Sequence, residues 1–169
     1  MKSCLIKVLV IFFSGAGVAT AQPLAKNFVS HLSGHEEVPP VESRAQGQSF
    51  YQLGRDGTEL RFSLKVANID EITQAHIHCG VQGVNGPVVV FLFGLVPTGV
   101  TLNGILADGT ITNANVLPRP DSEVCPGGIA NFDELIQKMR SGDTYTNVHT
   151  LEHTGGEIRG QIMPAGPRR

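Results

Sequence analysis

Two histidines stand two positions apart in His76-Ile77-His78, inside Thr73 to Cys79, a stretch that reads as a β-strand. Side chains at i and i+2 of a strand leave the same face, about 6.6 to 6.8 Å apart at Cα. Two neutral imidazoles so placed can converge on one metal ion. A third from another strand completes a three-nitrogen site suited to Cu(II) or Zn(II), with copper favoured in affinity. His149, in the later strand Thr144 to Thr150, is the candidate for that third ligand, so the metal-site residues are His76, His78 and His149. His31, His35 and His153 could also complete such a site, and spacing does not choose among them. The competing reading makes the strand histidines hydrogen-bonded structural residues of a partly buried cleft.

Other chemistry is harder to place. Glu157 and Arg159 share a predicted strand face, which suggests an ion pair. Glu36 and Glu37 are adjacent, and neighbours on an extended chain point to opposite faces, so they are poorly placed for joint acid/base work. Ser, His and Asp occur without a Gly-x-Ser-x-Gly elbow, and no phosphate loop or dinucleotide fingerprint is present. No catalytic residue is assigned, and beyond copper or zinc no cofactor is implied. A non-catalytic binding module is therefore the first functional reading.

The elements that must hold these residues are short. A chain of 169 residues suits one domain. Charged residues make up 17%, with 13 basic against 15 acidic, which excludes the basic surface that nucleic acid binding requires. Twenty Gly and ten Pro punctuate the apolar runs, favouring strands and turns over long helices. Expected strands are Asn27 to Leu32, Gln48 to Leu53, Glu59 to Val66, Thr73 to Cys79, Val88 to Phe93, Gly109 to Asn113, Thr144 to Thr150 and Glu157 to Met163. Leu60, Phe62, Leu64 and Val66 alternate with polar residues, the pattern of a strand with one buried face. Asp56-Gly57 supplies the tight turn that pairs this strand antiparallel with the one before it. One short helix is expected after Asn131, with Phe132, Leu135, Ile136 and Met139 at helical spacing and Gly142 as its stop. The fold class is thus all-β, an antiparallel sandwich or partly closed barrel with one short helix.

Residues 1–21 combine a basic start, an apolar run and Ala19-Thr20-Ala21, the pattern of a cleaved signal peptide. The apolar run is about half the length of a membrane-spanning helix, so no span is expected in the mature chain, residues 22–169, whose core covers about 27–163. Cleavage removes Lys2 and Lys7, taking the net charge from -2 to -4. The expected location is periplasmic or extracellular. Cys79 and Cys125 would then remain in an oxidising compartment, where an even pair favours a disulfide; two buried thiols, or metal ligation by Cys79, are the alternatives.

Three stretches, Leu32 to Val41, Ala75 to Val90 and Tyr145 to Ile162, together resemble the chordin-type CHRD domain family. Leu32-Ser33-Gly34-His35-Glu36-Glu37-Val38-Pro39-Pro40-Val41 is similar to that family's opening Leu-x-Gly-x-x-Glu-Val-Pro-Pro-Val. Ala75-His76-Ile77-His78-Cys79-Gly80 with Gly83 to Val90, and Tyr145-Thr146-Asn147-Val148-His149-Thr150 leading to Gly155 to Ile162, supply the other two. The resemblance implies an exported module with an immunoglobulin-like β-sandwich or barrel, found alone in bacterial proteins and repeated in chordin. It implies no reaction; a protein partner or a metal ion is what such a module would bind. The cysteines at 79 and 125 and the histidines at 35 and 153 depart from the family's common pattern. A His-x-His strand followed by Gly is also similar to the copper-binding strand of Cu/Zn superoxide dismutase, which makes a dismutase-like metalloenzyme the alternative function. A dinuclear site of that kind needs a bridging histidine and further His and Asp ligands, and no other histidine lies between His78 and His149.

Overall fold

In the computed structural model, residues 24–166 are described, and the expected signal peptide lies outside them. Nine strands form one sheet: β1 Asn27–Ser33, β2 Gln46–Leu53, β3 Leu60–Ala67, β4 Ile72–Cys79, β5 Val88–Phe93, β6 Gly104–Ile111, β7 Thr144–Thr150, β8 Ile158–Gln161 and β9 Met163–Pro164. The spatial order is β5-β4-β7-β8-β1-β2-β3-β6, with β9 on β1, and every pairing is antiparallel. The end strands β5 and β6 approach each other, so the sheet curls into a nearly closed barrel. Of the two expected arrangements, the barrel is the one present. The chain after β6 runs back over β5, where Leu117 donates its N–H to the Val89 carbonyl at 2.8 Å.

Alternation places the core. Leu60, Leu64 and Val66 of β3 point inward and meet Phe28, Tyr51, Ile77, Val148 and Ile158 from the other strands. Thr146 lies 2.9 Å from the Ser49 hydroxyl and 2.8 Å from the Tyr51 hydroxyl, satisfying polar groups that would otherwise be stranded in the interior. The helix α1, Phe132–Ser141, forms where the apolar spacing predicts it. Asn131 accepts the Glu134 N–H, Gly142 ends the helix with a positive φ, and Phe132, Leu135, Ile136 and Met139 are buried in the core. Cys79 and Cys125 are bridged, with Cα atoms 5.5 Å apart, which ties the segment before α1 to the end of β4 and removes Cys79 as a metal ligand.

Two strands differ from expectation. β6 covers Gly104–Ile111, not Gly109 to Asn113, because β3 offers a free edge that pairs residues of weak strand propensity such as Gly104, Asp108 and Gly109. The last expected strand is broken at Ile162, whose N–H turns to the Thr144 carbonyl, leaving β8 and β9 on either side.

Candidate metal centre

β7 is buried along all seven residues although the sheet has a single layer. Thr146 and Val148 face the interior, so Tyr145, Asn147 and His149 must face outward, beneath loops. On β4, His76 sits opposite Asn147 and His78 opposite Tyr145, on the same outer face. Arg159 of β8 extends that face, paired with Asn147. Three loops roof it: residues 34–41, which bury Glu37; residues 80–87; and residues 151–157.

His76, His78 and His149 are all buried, and their ligating nitrogens lie within 4.8 Å of one another. Their hydrogen bonds fix the tautomers. His78 Nδ1 is 2.8 Å from the Gly86 carbonyl and His149 Nδ1 is 3.0 Å from the Thr154 carbonyl. A carbonyl only accepts, so both Nδ1 atoms carry hydrogen and both Nε2 atoms keep lone pairs. His149 Nε2 lies 3.1 Å from His76 Nδ1 and accepts its hydrogen. The Nε2 atoms of His76 and His78 are then buried lone pairs with no hydrogen-bond partner. Phe91, half exposed, packs edge-on against His76 at 4.6 Å and closes the outer side.

The electrostatics keep these rings neutral. Burial, reinforced by the neighbouring histidines, brings the His76 pKa down to about 3. Burial likewise lowers His78 to about 4, against the opposing Gly86 hydrogen bond, and it lowers His149 against the bond to Thr154. Neutral imidazole is the form that ligates a metal. Nitrogens sharing one ion at 2.0–2.1 Å can be at most about 4.2 Å apart, so the rings must draw closer to hold one ion, with His76 offering the nitrogen that faces His149. The two carbonyls that hold Nδ1–H are the outer support usually seen behind ligating histidines.

Residues that sequence reasoning did not assign to the site surround the cluster. The Tyr145 ring stacks on His78 at 4.8 Å and 12°, and the Arg159 guanidinium lies 4.0 Å over the same ring. Arg159, 2% exposed, makes no ion pair with Glu157, contrary to the expectation from their spacing. The pairing of β8 with β7 carries the guanidinium to Tyr145 and the 80–87 loop, and Glu157 accepts the Ser43 hydroxyl instead. The acid facing Arg159 is Glu37, whose pKa is pushed up to about 7 by burial, against the Arg159 charge and the Asn147 amide. Glu36 remains partly exposed and takes a hydrogen bond from Gln82, so the adjacent carboxylates do point apart.

The remaining histidines stay outside the cluster. His31 is exposed and hydrogen-bonds Gln48, His35 is exposed, and His153 lies in the turn after β7 beside Glu152. A groove of about 520 Å³ over β1–β3 contains His31 but none of the three clustered rings. Among the described residues, the three histidines are the one group of His, Cys, Asp or Glu side chains that could hold a metal. No helix among those residues is long and apolar enough to cross a membrane.

The stretches around Glu37, His76 to Gly86, and Tyr145 to Arg159 are far apart in sequence and meet on this one face. Residues 28–162 match the family model described as the CHRD domain. No curated protein and no solved structure matches the chain.

Proposed function

The chain belongs to the CHRD domain family, and on that footing we propose that it is an exported, non-catalytic binding module that carries one copper or zinc ion on His76, His78 and His149. The observation that carries this reading is three buried imidazoles that each offer one nitrogen within 4.8 Å of the others, His76 Nδ1 and His149 Nε2 standing 3.1 Å apart. A buried acceptor without a partner costs on the order of 1–3 kcal/mol. His78 Nε2 is such an acceptor, and a metal ion answers it. An ion shared by these two rings would take the place of the hydrogen between His76 Nδ1 and His149 Nε2, that hydrogen moving to His76 Nε2, while the Gly86 and Thr154 carbonyls keep their hydrogen bonds.

Export is supported by the signal-like residues 1–21, by the Cys79–Cys125 bridge and by the family. A dismutase-like dinuclear centre has less support, because among the described residues no second set of His and Asp side chains adjoins the first. Equilibrium dialysis of the purified mature chain against Cu(II) and against Zn(II) tests the reading. About one ion per chain, removable by a strong chelator, is the expected result; uptake well below one per chain leaves an inert module.

A further inference from the structure

We propose that Arg159 is a positioning residue for this centre, aiming the His78 Nε2 lone pair without touching the metal; the inference rests on the metal reading above. His78 owes its orientation to two contacts, the Gly86 carbonyl at Nδ1 and the Tyr145 ring against its face. Arg159 holds both. Its Nη1 donates to Asn85 Oδ1 at 2.9 Å and its Nη2 to the Val84 carbonyl at 3.2 Å, which fixes the two residues preceding Gly86. Its guanidinium carbon lies 4.0 Å from the centre of the Tyr145 ring, whose hydroxyl in turn accepts the Gly86 N–H at 3.1 Å. Asn85 is locked from the far side as well, donating to the Val38 carbonyl at 2.7 Å. One planar fork thus secures the loop and the ring that together set a single imidazole.

Lysine cannot reproduce this arrangement, because a compact ammonium on a flexible stem lacks the fork that spans Asn85 and Val84 from above the Tyr145 ring. The geometry also gives Gly86 its identity. A Cβ there would collide with the Cys79 carbonyl, so the loop crosses the end of β4 at a backbone contact that only glycine permits. Losing the Arg159 fork frees the loop tip, residues 83–86, and lets the carbonyl that holds His78 Nδ1 turn away. Removing an outer support of a ligating histidine typically weakens metal binding 10–100-fold.

The test uses the full mature chain, with Cu(II) competed against nitrilotriacetate and the ligand-field absorption band recorded for each complex. Arg159→Lys and Asn85→Ala are compared with wild type, and Asn85 is exposed, so its replacement keeps the comparison available if the buried arginine variant does not fold. Expected is a 10–100-fold loss of Cu(II) affinity with a displaced band in the variants, while their thermal unfolding stays cooperative. Folded variants that bind within twofold of wild type, with an unmoved band, would reduce Arg159 to a structural role and overturn the proposal. Failure of the wild type itself to take up Cu(II) would instead overturn the metal reading, and this inference with it.

Discussion

At the residue scale, the centre is defined by how burial treats ionisable groups of opposite kind. His76 and His78 have folded-state pKa values near 3 and 4, below their ordinary 6.5. Their stabilising contribution is present above pH 6.5 and is lost as pH falls toward 4, on the order of 3 kcal/mol for His78 alone. Glu37 runs the other way. Its folded pKa of about 7 exceeds the ordinary 4.5, so its contribution is full below pH 4.5 and is lost as pH rises through 7. Glu37→Gln removes that second dependence. Urea unfolding should show the variant gaining on wild type by on the order of 3 kcal/mol between pH 4.5 and pH 8; a difference independent of pH would contradict the burial account. The His-x-His spacing made two members of the histidine cluster legible in the sequence, and His149 followed from its place in a later strand that carries a family motif. Glu37, Tyr145, Asn147 and Arg159 were not legible as parts of the site. A polar alternating face ordinarily reads as wet, and only the loops turn this one dry.

At the scale of elements, the signals that succeeded were local. Apolar alternation located β3, and the Asn131 cap with the Phe132, Leu135, Ile136 and Met139 spacing located α1 to the residue. β6 failed because its pairing comes from the open edge of β3, a non-local cause that Gly104 and Asp108 do not advertise. The 80–87 loop belongs to the same class: nothing in its composition marks it as the roof of a histidine cluster. Its tight approach to β4 gives a direct test. Gly86→Ala forces the new methyl against the Cys79 carbonyl and should cost about 1–3 kcal/mol in chemical unfolding. A neutral substitution would mean that the loop is looser than this packing.

At the scale of the molecule, one curled sheet provides an interior core and, on its outer side, a second polar core under loops. The Cys79–Cys125 bridge links the two, since Cys79 follows His78 directly while Cys125 anchors the segment leading into α1. Closing a loop of 46 residues is worth about 4 kcal/mol in the chain-entropy description. The double replacement Cys79→Ala with Cys125→Ala should lower stability by roughly that amount while the β-rich circular dichroism spectrum persists. Loss of all cooperative unfolding would show that the bridge is needed to build the barrel. Stability unchanged would show that the segment before α1 is held without it.

Three particular imidazoles hold the one ion on this reading, and electron paramagnetic resonance of the one-to-one Cu(II) complex counts them through nitrogen hyperfine couplings. Wild type should show three equivalent-class imidazole nitrogens near neutral pH. His78→Ala should show two and bind at least about 100-fold more weakly, whereas His31→Ala, altering an exposed ring outside the cluster, should match wild type. A spectrum dominated by backbone amide nitrogens, or one that His78→Ala leaves unchanged, would contradict the account and leave His76, His78 and His149 as buried structural residues.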